Sequence, residues 1–310
     1  MGLQVVAIPC DWGAGQPGGA AGVWSWYHLG LFYKHLAWME AAHIVVTPDE
    51  GRPVWVDTGP HVYACRLEPW MTFAQKVRQV ISTLSLEPPT LFLTGDHSWS
   101  GILLPAIAAH IPNLGVIWID AHADLHNPAT SPSGNLHGMP LAMATGLNTD
   151  KFHPLPEKTW QLWESLIQPA IPPQNLLFIG LRSYEPPEMD LIQAHQMAYF
   201  TSADLIQRGM EGAIQAAHAL AQRCDALYVS LDVDVWDPSF ARGTGSPAAG
   251  GLSIAQVRAL TEELFRWPQT HFVEVTEINP LLDRENQTAL YAYGTVRTFI
   301  EGGQNGASLE

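Results

Sequence analysis

The chain has 310 residues, of which 47% are hydrophobic and 15% are charged, and this composition suits a globular protein with a large core. Its formal net charge of −15 argues against nucleic acid or an anionic membrane surface as a partner. Three cysteines without short spacing predict inert, reduced thiols and a cytoplasmic location rather than a disulfide framework. No apolar run reaches about 18 residues and no basic segment precedes the first apolar stretch, so we expect neither a membrane span nor a signal peptide.

Apolar runs rich in strand formers alternate along the chain with stretches of helical periodicity. We expect strands over residues 4–8, 44–46 paired with 54–56, 90–94, 115–119, 176–179, 227–231 and 271–275. We expect helices over residues 73–84, 191–196, 212–223 and 253–267, the last with Ser253 and Gln256 in the spacing of a capping box. This alternation predicts a parallel sheet covered by helices on both faces. It suits a single domain over residues 1–301, followed by a disordered tail or a remnant of cloning over residues 302–310.

Acidic residues and histidines follow three strands that are expected to be buried. Burying a charge costs several kcal/mol unless something compensates it, so these groups together call for a cation. The carboxyl ends of strands in such sheets are also where ligands bind. The candidate metal ligands are His97, Asp120, His122, Asp124, Asp232 and Asp234.

Two histidines and four aspartates are too many ligands for one tetrahedral zinc. Carboxylate oxygens with a few imidazoles suit a harder divalent ion such as manganese, and two such ions about 3.5–4 Å apart would use all six groups. The pKa of a water molecule bound between the two ions would be lowered toward neutral pH. Any one of these residues alone is more commonly a core histidine or a turn aspartate, and Asp237 beside Pro238 is interpreted as such a turn.

The motifs that contain these residues resemble the signature segments of the arginase/agmatinase ureohydrolases, and among them the arginases most. The resemblance spans nearly the whole chain and implies an arginase-like, three-layer α/β/α fold whose central, mostly parallel sheet has about eight strands. It is carried by the segments Gly95 to Ser98, Asp120 to Asp124, Ser230 to Asp234, Ser133 to Gly138, Gly245 to Pro247, Gly250 to Leu252, Glu277 to Pro280 and Gly15 to Pro17.

The resemblance implies a centre of two Mn²⁺ ions and a role for each nearby residue. One ion would be held by His97, Asp120, Asp124 and Asp232, and the other by Asp120, His122, Asp232 and Asp234. Glu277 would receive the substrate guanidinium, because a carboxylate matches its planar fork. His137 would carry a proton to the leaving amine, and Asp124 is counted among the catalytic groups as well. Members of the family often form trimers or hexamers, which leaves a homo-oligomer open.

The implied reaction is hydrolysis of the guanidino group of an arginine side chain, which gives urea and ornithine. The candidate substrate-binding residues are His126, Ser131, Ser133, Asn135, Ser183, Glu185, Glu188 and Ser246. Three of them depart from the arginase pattern: His126 stands where arginases usually have Asn, and Ser183 and Glu185 stand where they usually have two Asp. The sequence therefore leaves two substrates open, free arginine and arginine within a peptide, the latter making the reaction a peptide modification. Agmatine or another small guanidine is the third alternative.

Proteins of other classes are also to be weighed against this interpretation. A deacetylase-like enzyme of the same fold would use a single zinc, and a non-catalytic metal-binding protein would be expected to lose a ligand, Glu277 or His137. The complete set of two histidines, four aspartates, Glu277 and His137 argues against both.

Overall fold

The protein is built around one eight-stranded sheet in which every strand pairs with its neighbours in parallel. The computed structural model describes residues 2–34, 36–49, 59, 61–147 and 156–302. The strands are β1 (Gln4–Ile8), β2 (Ala42–Val45), β3 (Thr90–Thr94), β4 (Leu114–Ile119), β5 (Leu176–Leu181), β6 (Ala198–Thr201), β7 (Ala226–Asp232) and β8 (Thr270–Thr276). Their order across the sheet is β2-β1-β3-β8-β7-β4-β5-β6.

Helices cover both faces of the sheet. They are α1 (Gly19–Tyr33), α2 (Leu36–Glu40), α3 (Leu67–Thr83), α4 (Ser100–Ala108), α5 (Pro140–Thr145), α6 (Glu157–Leu166), α7 (Pro186–Ala194), α8 (Ser202–Arg208), α9 (Glu211–Arg223), α10 (Ile254–Leu264) and α11 (Gln287–Gly302). Side chains alternate along each strand, so β1 sends Val6 into one core with α3, α4 and α6, and Val5 into the other with α1, α9, α10 and α11. Both faces of the inner strands are buried, which explains their nearly continuous apolar sequences.

The predicted three-layer α/β fold is confirmed, with shifts of a few residues at element ends. Helix α10 begins at the predicted capping box, in which Ser253 accepts from the backbone N–H of Gln256 and the Gln256 side chain accepts from that of Ser253. Strand β6 was not predicted, and neither were helices α1, α2, α4, α5, α6, α8 and α11. Every residue of α4 is buried, so it shows no amphipathic period, and β6 is a short, half-exposed edge strand. The strand expected over 54–56 and the tail 303–310 lie outside the described residues, whereas Gly302 ends α11.

Four adjacent strands at the centre of the sheet end at candidate metal ligands or at Glu277, the candidate guanidinium-binding residue. In sheet order, β3 leads to His97, β8 to Glu277, β7 to Asp232 and β4 to Asp120. Because neighbouring strands lie about 4.8 Å apart and all run the same way, these ends meet at one edge of the sheet. Among the described residues, we find no helix that is long and apolar enough to cross a membrane.

Candidate metal centre and active site

His97 lies at the centre of the first ligand cluster. It begins a short 3₁₀ turn three residues after the end of β3, and its side chain is 1% exposed. Its Nδ1 atom lies 3.1 Å from Asp120 Oδ2, 3.2 Å from Asp124 Oδ2 and 3.2 Å from Asp232 Oδ2. One imidazole nitrogen and three carboxylate oxygens thus converge on a single point.

A second cluster lies beside the first and shares Asp120 with it. His122 Nδ1 lies 2.9 Å from Asp234 Oδ2 and 3.6 Å from Asp120 Oδ1. The two oxygens of Asp120 therefore face different histidines, as a bridging ligand requires. Backbone N–H groups orient these carboxylates: that of His122 donates to Asp120 Oδ1 at 2.7 Å, and that of Asp234 donates to Asp232 Oδ1 at 2.7 Å.

The two clusters have the chemistry of a divalent cation site. His97 Nδ1 and Asp120 Oδ2 are buried without a hydrogen-bond partner among the described residues, which is costly unless a metal ion satisfies them. Burial, together with the charges of Asp234 and Asp120, raises the pKa of Asp232 well above its usual range. Such a concentration of like charge calls for a cation, and the oxygen-rich donor set favours a hard or borderline ion. The residues therefore fit the implied metals.

Glu277 and His137 form a charged pair next to the two clusters. Glu277 Oε1 accepts from His137 Nδ1 at 3.0 Å and from the backbone N–H of His97 at 2.9 Å. Burial alone would lower the pKa of His137, but the charge of Glu277 outweighs it and raises that pKa to about 9. In turn, the charge of His137 overcomes the effect of burial and lowers the pKa of Glu277. Both contacts use Oε1 of Glu277, which leaves Oε2 for a cation in the cavity.

The backbone is strained at two of these positions. Asp124 has a φ of 52° and Glu277 a φ of 63°, in the left-handed region that residues other than glycine rarely adopt. Each such residue costs about 1–3 kcal/mol, and such strain persists where the surrounding structure fixes a side chain in a working position. Close packing also constrains Gly95, since a Cβ atom there would lie 2.4 Å from the Cys10 carbonyl oxygen.

A cavity of about 160 Å³ opens above the clusters and is large enough for an extended side chain. It is lined by His97, His122, Asp124, His126, Ser131, Pro132, Ser133, His137, Gly138, Glu185, Glu188, Asp232, Asp234, Ser246 and Glu277. The structure thus brings most of the predicted site residues to one cavity. Asp120 lies beneath it, whereas Asn135 and Ser183 are not part of its lining. Instead, the backbone N–H of Ser183 donates to the carbonyl of Ala121, which fixes the loop after β5 against that after β4.

Two of the residues that depart from the arginase pattern, His126 and Glu185, form a third cluster with Glu188 at the mouth of the cavity. His126 Nε2 lies 2.8 Å from Glu185 Oε2 and 3.3 Å from Glu188 Oε2. Glu188 also accepts from the backbone N–H groups of Leu125 and Glu185, both at 3.0 Å. Burial raises the pKa of Glu188 to about 8. Against the effect of burial, the hydrogen bond with His126 lowers the pKa of Glu185.

One set of residues behind the clusters was missed at the level of the sequence. Glu274 lies in the middle of β8 with no exposed surface, and Ser230 lies beside it in β7. The signal in the sequence was a glutamate between the valines of an apolar strand, where an uncompensated charge is costly.

The chain is similar to known proteins over most of its length. The model of the Arginase family matches residues 3–301. The chain is 36% identical over 227 residues to the arginase of Bacillus subtilis (strain 168), which covers 73% of each chain. It is 37% identical over 212 residues to the arginase of Staphylococcus aureus (strain COL), covering 68% of this chain and 67% of that one. The crystal structure of Entamoeba histolytica arginase in complex with L-ornithine superposes with a TM-score of 0.83 at 27% identity, covering 96% of this chain and 97% of that one.

The fold and these similarities show that the protein is a hydrolase of the ureohydrolase class, built on an all-parallel, eight-stranded sheet. Within that class, the chain belongs to the arginase family. The expected family and enzyme class are thereby confirmed.

Proposed function

We propose that the protein hydrolyses the guanidino group of an arginine side chain to urea and ornithine with two manganese ions. The observation that carries this proposal is the pair of ligand clusters that share Asp120 on the floor of a cavity whose wall holds Glu277. The similarity to arginases, one of them solved with L-ornithine, supports the same substrate class.

Each group in the cavity has a part in this reaction. His97, Asp120, Asp124 and Asp232 would hold one ion, and Asp120, His122, Asp232 and Asp234 the other. Bound there, the two ions would act as Lewis acids and would lower the pKa of a bound water molecule to near neutral pH. Four carboxylates with only two imidazoles favour manganese over a softer ion.

Glu277 and His137 act on the substrate itself. Glu277 binds the guanidinium through Oε2 and presents its carbon toward the two clusters, since an ion pair in a buried site orients as well as attracts. His137 Nδ1 is engaged by Glu277, so its Nε2 is the atom that delivers a proton to the leaving amine nitrogen. The charge of Glu277 raises the pKa of His137, which suits a proton donor.

The far end of the substrate decides between free arginine and arginine within a peptide. A free α-ammonium group needs an acidic partner, whereas the amide nitrogen of a peptide does not. At the mouth of the cavity, Glu185 is hydrogen bonded to His126 at 2.8 Å and Glu188 accepts two backbone N–H groups. Because these carboxylates already have partners, the cluster favours arginine within a peptide as a second candidate substrate beside free arginine.

The test is urea release after manganese loading from arginine, agmatine and an N- and C-blocked arginine peptide, measured side by side. Peptide specificity predicts a kcat/KM for the blocked peptide at least about tenfold above that for free arginine, equivalent to about 1.4 kcal/mol. His126→Asn should release Glu185 and shift the preference toward free arginine. Agmatine as the best substrate, or no urea from any of the three, would overturn the proposal.

A further inference from the structure

We propose that Ser230 and Glu274 form a hydrogen-bonded relay that fixes the imidazole of His97 with Nδ1 free to bind a metal ion. The relay rests on the proposed metal centre, and it makes both residues positioning residues for one of the two ions. They touch neither the cavity nor the substrate site, because neither belongs to the cavity lining in the described part of the chain.

The relay begins at the second nitrogen of the His97 ring. His97 Nε2 lies 2.7 Å from Ser230 Oγ, and the Ser230 hydroxyl donates to Glu274 Oε2 at 2.8 Å. The direct distance from His97 Nε2 to Glu274 Oε2 is 3.8 Å, so the serine bridges the two. All three residues have at most 1% of their surface exposed, and bulk water therefore cannot replace these bonds.

Other hydroxyl groups fix the direction of the hydrogen bonds. Thr94 donates to Glu274 Oε1 at 2.7 Å, and Ser100 donates to Oε2. Glu274 thus accepts at both oxygens, which is the pattern of a carboxylate and leaves Ser230 no choice but to donate to it. The lone pair of Ser230 then faces His97, so Nε2 of His97 carries a hydrogen and donates it.

The consequence is a fixed tautomer and a fixed ring plane. A neutral imidazole with its hydrogen on Nε2 has a bare Nδ1, and this is the atom that faces Asp120, Asp124 and Asp232. The indole of Trp118 stacks on the same ring, with centroids 3.9 Å apart and planes inclined by 5°. Without Ser230 and Glu274, no acceptor holds the hydrogen on Nε2, and a hydrogen on Nδ1 would oppose a metal ion.

The relay acts on one cluster only. His122, the histidine of the second cluster, contacts Asp234 and Asp120 and, among the described residues, neither Ser230 nor Glu274. Loss of the relay should therefore weaken the binding of one manganese ion much more than that of the other. Outer partners of metal-binding histidines commonly change metal affinity by about 10–100-fold.

The test is a manganese-binding titration of the full chain with wild type, Ser230→Ala, Glu274→Gln and a control, Thr261→Val. The control also removes a buried hydroxyl. The hydroxyl of Thr261 donates a hydrogen bond within α10, far from the clusters. We expect Ser230→Ala to raise one of the two dissociation constants about 10–100-fold and to change the other less than about threefold. Glu274→Gln keeps one acceptor oxygen and should give a smaller rise at the same site, and the control should leave both constants unchanged.

Thermal unfolding of the metal-free variants separates positioning from a purely structural role. A structural role would lower the metal-free Tm of Ser230→Ala and leave both dissociation constants at the wild-type values, and this result would overturn the relay. An equal loss of affinity for both manganese ions would also overturn the relay. The readout is metal binding rather than urea release. A wild-type protein that binds two manganese ions but releases no urea would therefore contradict the proposed function alone. Fewer than two sites in the wild type would overturn both.

Discussion

Asp237 offers a stability prediction whose size follows from its hydrogen bonds. Its Oδ1 accepts from the backbone N–H of Ser239 at 3.0 Å, and its Oδ2 accepts from those of Gly250 at 2.8 Å and Gly251 at 3.1 Å. The carboxylate therefore closes the loop that carries Ser246 to the cavity. The hydrogen bonds, those from Ser239 first, lower the pKa of Asp237 from its ordinary 3.8 to about 2.

The replacement Asp237→Asn should destabilise the protein at neutral pH. A fall in pKa from 3.8 to about 2 corresponds to about 2.4 kcal/mol of unfolding free energy for a group fully shielded from solvent. Asp237 lies close to solvent, and screening reduces this to about 1 kcal/mol, or a fall of about 2 °C in Tm. Because the folded pKa is the lower one, this stabilisation is complete above the unfolded value and is lost as the pH falls through about 2.

The assay is thermal unfolding of metal-free wild type and Asp237→Asn at pH 7 and pH 3, with Asp190→Asn as the control. Asp190 is an exposed aspartate on α7, so its loss matches the change in net charge. We expect a difference in Tm at pH 7 that shrinks at pH 3, and none for the control. A difference of the same size at both pH values would refute the charge-based reasoning.

Three further changes test the site and the core. Asp232→Ala should abolish urea release and lower manganese content together, because its oxygen faces His97 at 3.2 Å; full activity with both ions bound would contradict a bridging role. Glu277→Ala should keep both ions but lower kcat/KM by roughly 100-fold or more, about 2.7 kcal/mol, whereas an unchanged rate would place the guanidinium elsewhere. Leu260→Ala, in the fully buried face of α10, should cost about 2–5 kcal/mol of unfolding free energy without changing metal content.

The architecture was readable from the sequence where strands are long and buried on both faces. The runs that became β3, β4 and β7 are continuous apolar segments, and the polar residues that follow them mark the carboxyl edge of the sheet. Elements without a one-sided pattern escaped prediction, such as α4, which is buried all round, and β6 at the edge.

The candidate site was predictable as a set of residues but not as a network. Spacing and the resemblance brought forward all six candidate ligands, and the structure places them in two clusters that share Asp120, with Asp124 beside His97 in the first. The pairing of His126 with Glu185 and the link from His97 through Ser230 to Glu274 join residues far apart in the chain. Such contacts depend on strand order and side-chain direction, which the sequence pattern alone does not specify.

The most direct test of the central claim is urea release from arginine and from the blocked arginine peptide, measured while manganese is added stepwise to the metal-free protein. A binuclear ureohydrolase predicts that urea release from at least one substrate rises with bound metal and reaches its plateau at two manganese ions per chain. A plateau at one ion, or no urea from either substrate with both clusters filled, would contradict it.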